Sequence, residues 1–396
     1  MKKILFLIIS FVILAVPSKA GNDNRITTII VSLDGFRWDY TDWYDTPFFD
    51  FMARNGVKSA LIPSFPSKTF PNHYTIATGL YPDHHGLIAN NFYDEVNDEH
   101  FSLGNKSTKL NPDYYGGEPI WITAKKNKLR TAVIYWPGSD VKVCGMYPDT
   151  YYKYDDEPRL DFDSRVSTAI SMLSGSKRPD LLMLYFDQPD TYGHSFAPYG
   201  KRTRKVVGEM DAVIKHLYDG IVEAGLEDKV NLIVTSDHGM TPVLPSNIVR
   251  ASKYIKREWI KIIEGNLPAN VYVSEERYAD SICSALKDVP HIRAYKKQDM
   301  PSYLHYGTHR RCGDVIVIPD LGWIFGDRPS KSLGAHGFDP SYLDMHAMFR
   351  AIGPSFRHIE LPHFSNVNVY PLLCNLLGIE PAANDGDINN VKAMLK

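Results

Sequence analysis

The stretch ITTIIVSLDG, residues 26–35, contains an apolar run, Ile26–Leu33, that ends at the pair Asp34 and Gly35. β-branched residues are enriched in strands, and a nearly continuous apolar run is typical of a strand buried on both faces of a sheet. Asp34 directly follows this run. The pattern therefore predicts a carboxylate at the carboxyl end of a buried strand.

Three further apolar runs repeat this arrangement. They are Thr131–Trp136 (TAVIYW), Leu181–Phe186 (LLMLYF) and Val230–Thr235 (VNLIVT), and each is followed by polar or turn-forming residues. Helical patterns lie between them, at Arg165–Leu173 and Lys201–Ala224. Alternating strands and helices predict an α/β fold, a three-layer α/β/α sandwich with a mainly parallel sheet. In such sheets ligands bind beyond the carboxyl ends of the strands, where these polar residues fall.

The composition changes between residues 242 and 332, which are rich in Lys and Arg. Short strands are predicted there at Asn270–Val273 and Asp314–Ile318, with a helix at Glu275–Lys287. We interpret 242–332 as a cap or subdomain inserted into one catalytic domain that covers residues 21–396. The chain then returns to the core with the sequence GAHGFD, residues 334–339.

The first twenty residues carry a different pattern. Two lysines precede an apolar run from Ile4 to Val16, and small residues follow up to Ala20. This order is typical of a secretory signal peptide, and the run is short for a membrane span. We expect residues 1–20 to be removed and no membrane insertion to remain; a retained N-terminal anchor is the alternative.

The composition of the mature chain, about 375 residues, excludes some classes of function. The net charge of the full 396-residue sequence is −2, so no basic surface indicates polymeric nucleic acid as a partner. Twenty-four tyrosines and six tryptophans suit a pocket for planar or sugar ligands. Two disulfides are possible in an exported protein, with three connectivities open, among Cys144, Cys283, Cys312 and Cys374.

The stretch PSFPSKTFPNHYTIATGLYPDHHGLIANN, residues 63–91, contains the candidate nucleophile. It predicts a loop followed by a short helix from about Asn72 to Thr78, with Thr69 at the N-cap and Pro71 in the first turn. A hydroxyl at this point lies beside unpaired backbone N–H groups and in the positive end of the helix dipole. Both favour an alkoxide and a bound phosphate.

Aspartates and histidines in four other places form a candidate metal centre. We group Asp190, His194 and His336 as one site, and Asp34, Asp237, His238 and the Thr69 oxygen as the other. Mixed Asp/His sets suit zinc, although they also take Mn or Fe. Two metal ions can clamp the attacking and leaving oxygens of an in-line phosphoryl transfer. Five other histidines have no spacing typical of metal ligands and are predicted to be structural or on the surface: His73, His84, His85, His305 and His309.

The motifs KTFPNHYTIATGLYPDHHG, QPDTYGH, SDHG and GAHG resemble those of the nucleotide pyrophosphatase/phosphodiesterase family of the alkaline phosphatase superfamily, in the same order. The resemblance covers nearly all of the mature chain. It implies an alkaline phosphatase-like fold, two zinc ions bound as grouped above, and Thr69 as a nucleophile that forms a covalent phosphoryl intermediate. It also implies that Asn90 binds a phosphoryl oxygen together with the backbone N–H near Thr69.

The same resemblance implies where the substrate binds. Phe70 matches the residue that stacks on a nucleobase, and Tyr154 looks like its partner on the other face. Such stacking tolerates any base. The sequence shows no Cys-rich module and no nuclease-like domain, so it resembles the compact bacterial form, and the signal peptide indicates the periplasm.

The leading hypothesis is a zinc phosphodiesterase or pyrophosphatase that releases nucleoside 5′-monophosphates from small nucleotide substrates. The alternative keeps this chemistry and changes the substrate to a phospholipid or choline-phosphate diester, or to a phosphonate such as phosphonoacetate. A flat aromatic slot would favour the first and an apolar channel the second. A non-catalytic binding protein would have lost the nucleophile or a ligand, whereas every matched position is filled here. No oligomeric state is predicted.

Overall fold

The computed structural model describes residues 25–155 and 158–396. The predicted signal peptide, residues 1–20, lies outside the described residues. The strands are, in chain order, β1 (Thr27–Leu33), β2 (Val57–Ile62), β3 (Asn91–Asp94), β4 (Glu99–Ser102), β5 (Thr131–Ile134), β6 (Thr150–Tyr152), β7 (Leu181–Phe186), β8 (Val230–Thr235), β9 (Thr241–Pro242), β10 (Ile248–Val249), β11 (Ile260–Glu264), β12 (Ala269–Val273), β13 (Ile292–Lys296), β14 (Val315–Pro319), β15 (Ile324–Phe325), β16 (Gly334–Ala335), β17 (Ala347–Ile352), β18 (Ile359–Glu360) and β19 (Phe364–Ser365). The helices are α1 (Tyr40–Trp43), α2 (Pro47–Asn55), α3 (Thr69–Thr78), α4 (Pro82–His85), α5 (Lys106–Lys109), α6 (Ile120–Lys126), α7 (Phe162–Ser174), α8 (Asp190–Phe196), α9 (Lys201–Glu223), α10 (Tyr278–Leu286) and α11 (Val369–Leu377).

The main sheet has nine strands within the described residues, in the order β18-β2-β17-β8-β1-β7-β5-β6, with β19 also paired to β2. Strands β8, β1, β7, β5 and β6 run parallel, whereas β17 is antiparallel to both β8 and β2. The four apolar runs found in the sequence become β1, β5, β7 and β8, so the mainly parallel sheet is confirmed.

Side chains of β1 alternate between two hydrophobic cores. Ile30 packs in the core that includes residues of α3, α6 and α11, whereas Ile29, Val31 and Leu33 pack with residues of α2, α7 and α9. A sheet with a helix layer on each face must be apolar on both, which explains the nearly continuous apolar run. The predicted three-layer α/β/α fold is confirmed.

Within the described residues, the segment 242–332 contains a separate four-stranded antiparallel sheet in the order β11-β12-β14-β13. Val315 and Val317 pack with Ile282 of α10 in a core of their own, whereas Ile316 and Ile318 join the core on one face of the main sheet. The segment thus has its own core and is also packed on the main body. Its predicted role as an inserted cap stays a prediction.

Local predictions differ from the structure at the start of α3. The helix begins at Thr69, and Lys68 is the N-cap, so Thr69 is the first helical residue rather than the cap. Pro71 is therefore inside the first turn, where the first four N–H groups have no intrahelical partner and a proline is tolerated. The early start places the Thr69 hydroxyl on the first turn of the helix.

The four cysteines, all within the described residues, are free: Cys144 is exposed and Cys312 and Cys374 are buried. The possible disulfides are therefore not formed in this structure. Among the described residues, no helix is both long and apolar enough to cross a membrane.

Candidate active site

The candidate site lies where three neighbouring parallel strands end. Asp34 follows β1, Asp237 follows β8, and Asp190 begins α8 shortly after β7. Two backbone contacts hold these ends together, since the Asp190 N–H donates to the Asp34 carbonyl at 2.9 Å and the Gly35 N–H donates to Asp237 Oδ1 at 3.2 Å. Gly35 has φ +68°, and a Cβ there would lie 2.9 Å from the Asp190 Cα. Only glycine allows this close approach.

Three histidines direct the same ring nitrogen, Nε2, into the site. The Nδ1–H groups donate to backbone carbonyls: His194 to Gly334 at 2.7 Å, His238 to Gly239 at 2.8 Å and His336 to Ser67 at 2.8 Å. A carbonyl oxygen only accepts hydrogen bonds, so each ring is held as the tautomer with a lone pair on Nε2. This arrangement is typical of metal-ligating histidines.

The first predicted metal group comes together in the structure. His194 Nε2 lies 3.2 Å from His336 Nε2, and the Asp190 carboxylate lies 3.4 Å and 3.6 Å from these two nitrogens. His194 is one helical turn from Asp190 on α8, so the helix accounts for that pair. The antiparallel pairing of β9 with β16 holds the strand that precedes His336. These ligand atoms lie within 4.8 Å of one another.

The second group is centred on His238. Its Nε2 lies 3.0 Å from Asp237 Oδ2, 3.5 Å from Asp34 Oδ1 and 3.3 Å from Thr69 Oγ1. The ligand atoms that lie within 4.8 Å of one another belong to Asp34, Asp190 and His238. Asp190 is therefore within reach of both groups, whereas the sequence assigned it to one. Its central position makes it the residue that joins the two groups.

The electrostatics of the site favour a cation. Asp34 Oδ1, Asp190 Oδ1 and Asp237 Oδ2 are buried oxygens without a hydrogen-bond partner. Burial and the negative charges of Asp237 and Asp190 raise the pKa of Asp34 well above its usual value. Burial, with a smaller contribution from His238, lowers the pKa of His336. Because these three buried oxygens lack a donor, divalent cations fit the residues present.

Thr69 and Asn90 lie next to this cluster. Thr69 is 8% exposed, and its hydroxyl points at His238 as described above. The Phe70 N–H donates to Asn90 Oδ1 at 3.0 Å, which leaves the Asn90 amide NH₂ as the free donor group. In this structure the N–H of Phe70 orients Asn90. Binding of a phosphoryl oxygen by Asn90 together with a backbone N–H near Thr69 stays a prediction.

Three further side chains support the site and were not found from the sequence. Tyr185 donates its hydroxyl to Asp34 Oδ2 at 2.6 Å, and the Lys68 ammonium donates to the His336 carbonyl at 2.7 Å. His73, interpreted as structural or on the surface, is fully buried, and its Nδ1 lies 2.9 Å from the Thr69 carbonyl and 3.4 Å from Asp237 Oδ2. Its position four residues after Thr69 on one helix was the available signal.

The predicted aromatic slot is closed in this structure. Phe70 is 1% exposed, and its ring meets Tyr154 edge-to-face with centroids 5.2 Å apart. The guanidinium of Arg159 also lies 4.8 Å from the Tyr154 ring centre. A base between two parallel rings needs roughly 7 Å between their centroids, so the rings must separate to form a slot. Stacking by Phe70 and Tyr154 stays a prediction.

Comparisons with known proteins show what this chain is similar to. A sequence profile described as type I phosphodiesterase / nucleotide pyrophosphatase matches residues 28–339. The chain is 32% identical to human ectonucleotide pyrophosphatase/phosphodiesterase family member 5 over 98% of its own length and 83% of that protein. Over 93% of its own length, the chain is 35% identical to human family member 1 and spans 42% of that protein. Over the same share of its length, it is also 35% identical to a venom phosphodiesterase of Crotalus durissus collilineatus, of which it spans 46%.

Solved structures show the same similarity in three dimensions. The structure of human ectonucleotide pyrophosphatase / phosphodiesterase 5 matches this chain with a TM-score of 0.88 and 32% sequence identity. The match covers 93% of this chain and 100% of the human chain. An inactive threonine-to-alanine variant of the murine protein, in complex with AMP, also has a TM-score of 0.88, with 31% identity over 94% of this chain and 100% of its own. The fold of this chain is therefore the fold of these proteins.

Proposed function

Because the chain belongs to the type I phosphodiesterase / nucleotide pyrophosphatase family, we propose that it hydrolyses phosphodiester or pyrophosphate bonds of nucleotides. The products would be nucleoside 5′-monophosphates, and the reaction would pass through a covalent threonyl-phosphoryl intermediate. The observation that carries the proposal is the cluster of unpaired acceptors next to the Thr69 hydroxyl. A hydroxyl beside such a cluster is suited to become a nucleophile once cations are bound.

We propose that the cluster holds two zinc ions. Asp190, His194 and His336 would bind one, and Asp34, Asp237 and His238 would bind the other, with the carboxylate of Asp190 within reach of both. When bound, such ions lower the pKa of a hydroxyl or water and offset negative charge on phosphoryl oxygens. The carbonyls of Gly334, Gly239 and Ser67 keep all three imidazoles in the tautomer that can ligate.

The residues of the chain divide the reaction among them. Thr69 Oγ1 attacks phosphorus and forms a threonyl-phosphoryl ester, while the bond from phosphorus to the leaving alcohol or phosphate breaks. Water then cleaves this ester, which releases the nucleoside 5′-monophosphate and restores the Thr69 hydroxyl. The first turn of α3 places that oxygen at the positive end of the helix. Asn90, oriented by the Phe70 N–H, donates its amide to a phosphoryl oxygen, where negative charge grows in the transition state.

The comparisons support the nucleotide as substrate. The murine relative was solved with AMP, and its inactive form is a threonine-to-alanine variant. A nucleoside 5′-monophosphate bound to a relative is consistent with the proposed product. Loss of activity on removing a threonine hydroxyl is consistent with a threonine nucleophile.

A second substrate class is favoured by one observation, the contact between Phe70 and Tyr154. If these rings do not separate, no base can lie between them, and a smaller diester or a phosphonate would use the same chemistry. Choline-phosphate diesters and phosphonoacetate are the candidates. They require only the metal cluster, Thr69 and Asn90.

The test is a parallel assay of the zinc-loaded protein on p-nitrophenyl thymidine 5′-monophosphate, p-nitrophenylphosphorylcholine, phosphonoacetate and p-nitrophenyl phosphate. We expect the thymidine diester to be hydrolysed with the highest kcat/KM and the activity to be lost on chelation. Thr69→Ala should lower kcat by at least about a thousandfold with zinc still bound. Full activity of Thr69→Ala would contradict the nucleophile, and preference for another substrate would contradict the nucleotide site.

We further propose that the protein is exported to the periplasm. The support is the predicted signal peptide at residues 1–20. Fractionation of cells that express the full chain would locate it. N-terminal sequencing of the mature protein should begin near Gly21.

A further inference from the structure

The loop that carries Asn90 is held from outside the main sheet. The Gly86 carbonyl accepts from Arg311 Nη1 at 2.9 Å, and the Ile88 carbonyl accepts from the Tyr306 hydroxyl at 3.3 Å. Both donors belong to the segment 242–332, more than two hundred residues further along the chain. Asn90 itself reaches Phe70 through its side-chain oxygen. The position of Asn90 therefore depends on that segment as well as on α3.

Tyr306 is the end of a directed chain of hydrogen bonds. The Gly313 N–H donates to Asn270 Oδ1 at 3.0 Å, which fixes the orientation of the Asn270 amide. Asn270 Nδ2 then donates to the Tyr306 hydroxyl at 3.3 Å. The Tyr306 hydroxyl has two acceptors within reach, the Ile88 carbonyl at 3.3 Å and Asn270 Oδ1 at 3.4 Å, and the Ile88 carbonyl is the nearer. Asn270 and Tyr306 are 1% and 4% exposed, so water cannot replace these partners without cost.

The ring of Tyr306 contacts a second part of the site. It packs edge-to-face against Phe65, with centroids 5.1 Å apart, and Phe65 is 1% exposed. Phe65 lies in the loop that leads into α3 and stands four residues before Thr69. The Tyr306 side chain therefore contacts two loops. Its ring contacts the loop before Thr69, and its hydroxyl contacts the loop before Asn90.

We propose that Tyr306, oriented by Asn270, is a positioning residue that fixes the Asn90 amide relative to Thr69. The proposal rests on the proposed function, in which Asn90 donates to a phosphoryl oxygen in the transition state. It gives the segment 242–332 a role in catalysis through residues that do not touch the substrate. Small displacements of a donor from such a position are costly, because the bond must form at the moment that charge develops.

A purely structural role for Tyr306 makes a different prediction. The loss of one buried hydroxyl would lower stability and leave the rate of the folded protein unchanged. A positioning role lowers kcat with little change in KM, because the affected bond is made in the transition state. The effect should also require Asn90 to be present.

The test is a double-mutant cycle with Tyr306→Phe and Asn90→Ala, measured on the zinc-loaded full chain with p-nitrophenyl thymidine 5′-monophosphate. We expect Asn90→Ala to lower kcat about a hundredfold and Tyr306→Phe about tenfold, with KM within about twofold. In the Asn90→Ala background, Tyr306→Phe should lower kcat by less than about twofold, since the donor that it positions is gone.

A matched control is Tyr370→Phe. This variant also removes a buried hydroxyl, which contacts Thr123 Oγ1 at 2.8 Å and accepts from the Ala382 N–H at 2.9 Å, away from Asn90. We expect it to lower the melting temperature and to leave kcat unchanged. If Tyr306→Phe lowered kcat by the same factor in the native chain and in Asn90→Ala, the positioning role would be overturned. An unchanged kcat of Tyr306→Phe in the native chain would overturn it as well. An Asn90→Ala variant with full activity would overturn instead the role proposed for Asn90, and an inactive native protein would overturn the proposed function.

Discussion

Aspartates in two parts of the molecule differ in what their carboxylates contact. Those at the strand ends, Asp34, Asp190 and Asp237, each have a buried oxygen without a hydrogen-bond partner. Asp83 and Asp94, which hold the loop 305–313, have both oxygens occupied. We call the first set, with its three histidines, the strand-end cluster, and the second set, with its donors, the paired cluster.

The donors of the paired cluster come from that loop. Asp94 forms ion pairs with Arg310 and Arg311, and Asp83 accepts from the Thr308 N–H and hydroxyl and from the Cys312 thiol. A buried carboxylate is stable when donors surround it and costly when they are missing. The paired cluster is therefore complete as part of the fold. The strand-end cluster lacks such donors, so we expect it to be complete only with cations.

The largest effect should come from changing the strand-end cluster. Asp190→Asn removes the carboxylate that both metal groups share, so we expect activity on the thymidine diester to fall by at least about a thousandfold. In chelator its melting temperature should stay the same or rise, because repulsion among carboxylates is relieved. Calorimetry and the steady-state assay measure both. Retained activity, or a large loss of stability in chelator, would remove the contrast with the paired cluster.

The opposite result is expected for Asp94→Asn. This change leaves the buried guanidinium of Arg311 without its anion, and breaking a buried ion pair costs about 3 kcal/mol. We expect the free energy of unfolding in urea to fall by that amount. The kcat of the folded protein should fall less than about tenfold, through the loop that carries Asn90. If unfolding were unaffected and activity were lost, Asp94 would belong with the catalytic residues.

A smaller effect on stability is expected from His346, a buried histidine outside the strand-end cluster. His346 uses both ring nitrogens, since Nε2 lies 3.0 Å from the Pro340 carbonyl and Nδ1 lies 2.7 Å from His363 Nδ1. Burial lowers the pKa of His346 to about 4. The unfolded chain, with a histidine pKa near 6.5, therefore takes up the proton first as the pH falls.

The stability from His346 is therefore complete above about pH 6.5 and is lost between there and about pH 4, amounting to about 2 kcal/mol at pH 5. Urea unfolding in chelator at pH 7 and pH 5 measures this loss. His346→Gln, which cannot take up a proton, should be less sensitive to pH by that amount. Equal sensitivity in both proteins would show that another group titrates.

Much of the fold was predictable because it depends on short-range pattern. The strands β7 and β8 have the bounds read from their apolar runs, since strands buried on both faces leave a continuous signal. The aspartates that follow these strands were found by the same logic. His194 was found because it stands one turn after Asp190. These relations all lie within a few residues of each other in the chain.

Other parts of the site depend on contacts between distant segments, which the sequence pattern does not contain. The bond from Tyr306 to Ile88 joins residues 218 positions apart, and the edge-to-face contact between Phe70 and Tyr154 also joins two distant segments. The start of α3 was placed too late because Thr69, a residue type favoured at the N-cap, was assigned that position, whereas Lys68 is the N-cap. His73 was predicted to be structural or on the surface, and its contacts with Thr69 and Asp237 were not predicted, although its spacing of four residues from Thr69 was an available signal.

The central claim is that the strand-end cluster binds two divalent cations beside Thr69. The most direct test is the zinc content per chain, by mass spectrometry of the purified protein after dialysis against trace zinc, with Asp94→Asn and Asp190→Asn measured in parallel. We expect two zinc ions in the native chain and in Asp94→Asn, and fewer in Asp190→Asn. A native chain without bound zinc, or equal zinc in all three proteins, would contradict the account.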